Sequence, residues 1–185
     1  MHTHAFDRGV SMTDKTRNFV PLNIAVLVVS DSRTEKTDKS GKLLAQRLAD
    51  AGHRLHELRI VPDEPDRIGA AVRTWCGDEG VNVVLSTGGT GVTGRDGTPE
   101  AIAPLMDKQI DGFGELFRML SFEDIGTSTI QSRAMAGVSN GTYIFCLPGS
   151  SGACAMAWDR IISPQLDYRT RPCNLVELMP RLREK

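Results

Sequence analysis

The 185-residue chain carries 22 Lys+Arg against 23 Asp+Glu, a net charge of −1, which excludes the basic footprint of a nucleic-acid or anionic-membrane binder. With 40% hydrophobic residues the chain can build one packed domain, and no apolar run approaches the ~18–20 residues of a membrane span. Glycine is the outlier: average usage of about 7% gives about 13, there are 18, and Gly88, Gly89, Gly91, Gly94 and Gly97 crowd into one ten-residue window.

Residues 1–20 are polar and aperiodic and read as a flexible N-terminal arm. The opening Met1-His2-Thr3-His4-Ala5-Phe6-Asp7-Arg8 lacks a basic-then-apolar export signal. Residues 21–167 read as a single domain. Leu22–Ser30 is a continuous apolar run, as in a buried parallel strand. Asp38 or Ser40 caps a helix running to Ala51 and closed by Gly52. His53–Val61 is a second strand. Pro65 opens a helix whose Ile68, Ala71, Val72 and Trp75 recur at i, i+3, i+4, i+7. Val81–Ser86, the third strand, runs straight into the glycine cluster, and Thr98-Pro99-Glu100 opens the next helix with a capping hydroxyl, a first-turn proline and an acid. Gly112–Ser121 and about Thr127–Ala136 are predicted helical, and Thr142–Leu147 is a strand. A helix carrying Ala153, Ala157, Trp158 and Ile161 stops at Pro164. Residues 168–185 form a C-terminal arm, either a tail or a segment packing on a neighbouring subunit. This alternation predicts an α/β sandwich around a mainly parallel sheet.

In such a sheet ligands bind beyond the carboxyl ends of the strands. Three strands here end in small, hydroxyl- or glycine-rich loops: Ser30-Asp31-Ser32-Arg33, Ser86-Thr87-Gly88-Gly89-Thr90-Gly91, and Leu147-Pro148-Gly149-Ser150. Glycines admit close approach of a ligand, and successive N–H groups make anion-binding nests, so the rim suits a polar, phosphorylated ligand; Ser150 taken alone also reads as an ordinary helix cap. Gly89-x-Gly91-x-x-Gly94 matches the dinucleotide spacing, but the helix waits for Thr98-Pro99 instead of starting within the glycines, so a dehydrogenase is rejected. No G-x-x-x-x-G-K-[ST] is present.

Asp63, after the second strand, and Asp96, in the glycine loop, are expected at the same rim. Carboxylates beside phosphate loops imply a bridging Mg²⁺ and metal-assisted phosphoryl or nucleotidyl chemistry; the plainer readings are a cap ahead of Pro65 for Asp63 and a turn residue for Asp96. Arg33, Arg95, Arg118 and Arg133 are candidate phosphate clamps, with Arg118 also placed for simple solvation. His53 and His56 read as packing or surface residues, and Met119, Met135 and Met156 as core filler. Cys76, Cys146, Cys154 and Cys173 form no zinc spacing; Cys76 and Cys146 sit among apolar neighbours, which fits buried thiols in a reducing cytoplasm.

The segments Val29–Arg33 (VSDSR), Ile60–Glu64 (IVPDE), Ser86–Glu100 (STGGTGVTGRDGTPE), Gly112–Phe122 (GFGELFRMLSF), Glu123–Thr129 (EDIGTST), Gln131–Ala134 (QSRA) and Leu147–Gly152 (LPGSSG) resemble the MoaB/MogA family of molybdenum cofactor biosynthesis proteins. The likeness spans about residues 20–175, and Arg169–Asn174 (RTRPCN) is similar to the MoaB branch in particular. The resemblance implies a three-layer α/β/α domain that self-associates as a trimer or hexamer. It implies molybdopterin and ATP as substrates with Mg²⁺, and adenylylation of molybdopterin with release of pyrophosphate; a non-catalytic molybdopterin carrier is the alternative. Its catalytic, metal-holding aspartates fall on Asp63 and Asp96, and its substrate loops on Ser30, Asp31, Arg33, Thr87, Gly88, Gly89, Thr90, Gly91, Arg95, Pro148, Gly149 and Ser150.

Overall fold

The apolar run after Pro21 becomes an interior strand of the sheet. In the computed structural model, which describes residues 12–184, the elements are β1 (Met12–Thr13), β2 (Asn23–Val29), α1 (Ser40–Asp50), β3 (Arg54–Val61), α2 (Pro65–Cys76), β4 (Val83–Thr87), α3 (Thr98–Ile102), β5 (Lys108–Gln109), α4 (Asp111–Ile125), β6 (Met135–Ser139), β7 (Thr142–Leu147), α5 (Ser151–Ala157), α6 (Ser163–Gln165) and β8 (Thr170–Arg171). Six strands form one sheet in the order β3-β2-β4-β7-β6-β5. The first four are mutually parallel, and β6 and β5 are antiparallel additions.

Alternation along the strands explains the three layers. Ile24 and Val26 of β2, Val83 and Leu85 of β4, and Tyr143 and Phe145 of β7 pack against α1, α4 and α5. Their neighbours Ala25, Leu27, Val84, Ile144 and Cys146 pack against α2 and α3. Strands apolar on both faces need helices on both faces, which is why they read as unbroken hydrophobic runs. Asp38 starts α1, its carboxylate accepting from the N–H groups of Gly41 (3.0 Å) and Lys42 (3.2 Å), and Gly52 (φ +91°) ends it.

Two expectations from local pattern are corrected. Thr127–Ala136 is not a helix: a 3₁₀ turn spans Gly126–Gln131, and Met135–Ser139 is β6. The turn Asn140 (φ 47°)-Gly141 (φ 80°) joins β6 to β7 as a tight hairpin, and pairing with β7 supplies the backbone partners that a helix would otherwise provide. Met119 is not core filler; it is 61% exposed on α4.

The first and last described segments are also packed. Residues 1–11 lie outside the described residues, but the rest of the expected flexible arm folds onto the domain: β1 pairs with β8, and Phe19 lies 5.0 Å from the His53 ring. The C-terminal arm returns to its own domain too, where the Tyr143 hydroxyl donates to the Leu175 carbonyl (2.9 Å) and Val176 is buried.

Candidate functional site at the carboxyl ends of the strands

β2 is flanked by β3 on one side and β4 on the other, and α1 and α2 lie on opposite faces, so the chain reverses its winding between β2 and β4. That switch point is where an open α/β sheet leaves a crevice. The loops around it are sewn together. The Gly88 N–H donates to the Leu147 carbonyl (3.0 Å), the Thr87 hydroxyl to the Pro148 carbonyl (2.9 Å) and the Ser40 hydroxyl to the Gly149 carbonyl (2.7 Å). The Thr98 hydroxyl, from the start of α3, donates to the Gly88 carbonyl (2.8 Å). Gly88 (φ +103°) passes so close to β2 that a Cβ would lie 2.2 Å from the Val29 carbonyl oxygen.

The next two glycines make room for acids. A Cβ at Gly89 (φ +63°) would lie 2.9 Å from Asp63 Oδ2, and one at Gly91 would lie 2.7 Å from Asp96 Oδ2. Each of the two aspartates singled out from sequence thus lies against one glycine of the same turn. Gly94 has no atom within 4 Å of its would-be Cβ, and Gly97 takes an ordinary negative φ before α3.

The acids differ in how far they are neutralised. Asp31 is the braced one: Oδ1 accepts from the Asp63 N–H (3.0 Å) and Oδ2 from Arg95 Nη2 (2.6 Å), and the Arg95 guanidinium holds its carboxyl below the usual range. Asp96 Oδ2 accepts from the Thr93 N–H (2.8 Å) and hydroxyl (2.6 Å), and the hydroxyl in particular lowers its pKa. Asp63 accepts one long bond, from the Gly97 N–H (3.4 Å). Burial pushes its carboxyl up, and the charges of Asp96 and Asp31 add to the push. Asp63 is not the cap of α2; Glu64 occupies that position.

Such a set fits a divalent cation. Among the described residues no group of three or more His, Cys, Asp or Glu side chains forms a metal cage. Two carboxylates, completed by phosphate oxygens and water, are how Mg²⁺ is ordinarily held, and a cation held by Asp63 and Asp96 would offset both the burial of the Asp63 charge and its repulsion from Asp96.

Most of the expected binding residues line two concavities, and a smaller one of about 80 Å³ brings Ser30 and Arg33 beside Thr87 and Gly149. One of the two, of about 510 Å³, is lined by Gly88–Gly91, Asp96 and Pro148–Ser150 together with Phe117 and Ile125 of α4 and Gln131 and Ser132 beyond it. The other, of about 560 Å³, lies along β3 and is lined by Ser30, Asp31, Arg33, Arg59 and Pro62, among others. Asp63 and Arg95 line neither. Thr87 is 1% exposed, with its hydroxyl committed to Pro148. Ser150 caps α5 by accepting from the Ala153 N–H (3.2 Å), and Ser30 Oγ accepts from the N–H groups of Ser32 and Arg33, so these hydroxyls also shape their own turns.

The wall formed by α4 and the 3₁₀ turn was missed as part of the site, although the segments GFGELFRMLSF and EDIGTST that build it stand out in the sequence. The signal was there; their position at the same cavity as the glycine loop depends on the fold. Arg118 and Arg133 are not free clamps: Arg118 Nη1 donates to the Ala134 carbonyl (3.2 Å), and Arg133 is bound into the glycine loop.

Comparison with known proteins bears on this rim. A family described as a probable molybdopterin binding domain matches residues 25–168. Molybdenum cofactor biosynthesis protein B of Escherichia coli (strain K12) is 53% identical over 163 residues, covering 88% of this chain and 96% of that protein. A crystal structure of a molybdenum cofactor biosynthesis protein B superposes with a TM-score of 0.79 at 46% identity, covering 81% of this chain and 94% of the other. The tungsten cofactor synthesizing protein MoaB from Pyrococcus furiosus gives 0.70 at 37% identity, covering 77% and 91%. The chain therefore belongs to the molybdopterin-binding family of molybdenum cofactor biosynthesis proteins.

Proposed function

We propose that this protein is a molybdopterin adenylyltransferase. The observation that carries this reading is the placement of Asp63 and Asp96 against Gly89 and Gly91 at the sheet's switch point, with Asp63 left short of hydrogen bonds. In the reaction, an oxygen of the molybdopterin phosphate attacks the α-phosphorus of ATP. The new P–O bond forms as the bond between the α-phosphorus and the bridging oxygen breaks, and pyrophosphate leaves with that bonding pair. When bound, Mg²⁺ neutralises phosphate charge and orients the leaving group. Asp63 and Asp96 are the side chains that would hold it. The N–H groups of Gly89 and Thr90 orient a phosphate, and the wall of Phe117 and Ile125 shields one side of the cavity. Arg95, held by Asp31, lies in reach of the same loops to balance phosphate charge.

Self-association belongs to the same reading, with a second copy as the partner. Leu116, Met119, Phe122 and Ile125 of α4, and Ile130 beyond it, leave apolar side chains exposed along one edge of the cavity wall. Light scattering tests this directly: a trimer or hexamer is expected, and a monomer at micromolar concentration would remove it.

Incubation with molybdopterin, ATP and Mg²⁺, followed by detection of adenylyl-molybdopterin and pyrophosphate, tests the chemistry. Product that disappears with chelator is expected. Tight molybdopterin binding without product would make this chain a carrier instead.

A further inference from the structure

The glycine loop bulges away from the domain between Gly91 and Asp96, and its tip is exposed, with Val92 67% accessible. A loop with so few contacts holds Asp96 in place only if its neck is closed from outside. Arg95 ties the tip to Asp31, and the Thr98 N–H reaches the Gly89 carbonyl; across the neck itself the side chain that joins Gly91 to Asp96 is Arg133. Arg133, which follows the 3₁₀ turn, donates from Nε to the Gly91 carbonyl (2.7 Å) and from Nη2 to the Asp96 carbonyl (2.8 Å), spanning the two ends of the loop. Its Nη1 pairs with the Glu100 carboxylate in the first turns of α3, and its own N–H donates to the Thr90 carbonyl (3.1 Å). Three edges of one planar guanidinium are committed to protein acceptors, which a lysine ammonium cannot reproduce. None of these bonds goes to the carboxylate of Asp96, whose Oδ2 is oriented by Thr93 instead.

We infer that Arg133 is a positioning residue: it closes the neck of the 91–96 loop and so fixes the Asp96 carboxylate relative to Asp63. It also ties that loop to Gln131 and Ser132, which line the same cavity. Occupancy of the cavity and placement of the aspartate are thereby coupled through one side chain. The inference rests on the adenylyltransferase reading for what Asp96 does, but not for how the loop is held.

The test compares the wild type with Arg133→Ala and Arg133→Lys. In Arg133→Ala, kcat for adenylylation should fall about 100-fold, the cost of a reacting group displaced by about 1 Å, while KM for molybdopterin changes by less than about threefold. Hydrogen exchange at residues 92–97 should quicken at least about tenfold, with the strands unchanged. Added guanidinium should restore part of the lost rate to Arg133→Ala, and Arg133→Lys should stay slow although it keeps the charge and the fold. If Arg133→Ala does not fold, slow turnover and a mobile loop in Arg133→Lys carry the same conclusion. Retained kcat with unchanged loop exchange would overturn the inference, as would a change confined to KM, which would make Arg133 a substrate contact. If the wild type itself makes no product, the adenylyltransferase reading has failed, and loop exchange alone then decides the inference: protection lost in Arg133→Ala upholds it, and protection kept overturns it.

Discussion

Two irregular regions of this molecule are both held by arginines, and the contrast between them separates structure from chemistry. Between the first and last described segments, β1 and β8 pair, and Arg17 and Arg171 bind directly to the carboxylates of Asp14 and Glu177. Those acids are satisfied: the Asp14 carboxyl, bonded by the Thr16 hydroxyl and N–H and by Arg171, is lowered to about 2. At the glycine loop, Arg133 binds main-chain carbonyls and Glu100 instead, and Arg95 binds Asp31. Arg133 sets the backbone there and Arg95 takes Asp31, but neither bonds Asp63, whose pKa burial raises. Acids neutralised by their own chain hold the fold together. An acid left wanting a positive partner marks the place where a cation or phosphate is to be bound.

The sharpest way to break this contrast is to neutralise the site. Asp96→Asn keeps an acceptor for Thr93 while removing the charge, so the loop should hold its shape. Turnover should drop between about 100- and 1000-fold, the range for loss of one group that meets developing charge, while molybdopterin affinity stays close to the wild type. Stopped-time product assays with parallel binding titrations read both. Unchanged turnover would take Asp96 off the catalytic list and make the glycine loop a binding device alone.

How much of this was legible in the sequence follows the range of the interactions. Leu22–Ser30, the Pro65 helix and Thr142–Leu147 are local patterns, and each forms as read to within about two residues. Asp63 and Asp96 could be nominated because each stands next to a turn signal at a strand end. The helix predicted over about Thr127–Ala136 overlaps only the first two residues of β6, and Met135–Ser139, with no strong strand pattern of its own, becomes a strand by pairing with β7 across the Asn140-Gly141 turn. The terminal strap joins residues more than 150 apart, and no periodicity reports that. The charge of Arg133 suggests phosphate, and only the fold shows that its guanidinium brackets main-chain carbonyls.

The strap has its own weak point, and it titrates. His53, 6% exposed, lies under Phe19 and accepts at Nδ1 from the Leu22 N–H (3.2 Å), which requires the neutral ring. Burial pushes its pKa down to about 4, against the opposing pull of Asp167. Above pH about 6.5 neither folded nor unfolded chain holds the proton, and His53 contributes nothing to pH dependence. Between 6.5 and 4 the unfolded chain takes up a proton that the fold refuses, so stability falls as pH falls, by about 3 kcal/mol in total. His53→Asn keeps an acceptor without the titration, and denaturant unfolding from pH 7 to 4 should show a shallower decline than in the wild type. Equal slopes would mean that the ring accepts its proton without leaving its seat.

The finest test sets one aspartate from each region against the other. Asp14 is lowered, so its charge favours the fold above the unfolded carboxyl's pKa, and that gain is lost as pH falls through the folded value. Asp63 is raised, so its charge opposes the fold at neutral pH, and the opposition disappears as pH falls through its folded pKa. Asparagine at each position should therefore move Tm in opposite directions at pH 7 without divalent metal. Asp63→Asn, which still accepts from the Gly97 N–H, should raise Tm by about 2 °C, a fraction of a kcal/mol in a chain of this length, and should lose activity. Asp14→Asn should lower Tm by less than that rise, as expected of an exposed ion pair, with turnover unchanged. Mg²⁺ should narrow the gap by stabilising the wild type more than Asp63→Asn, because a cation held by that carboxylate binds the folded state. A fall in Tm for Asp63→Asn would mean that its charge is already balanced within the protein, and the glycine loop would then be a second strap rather than a site.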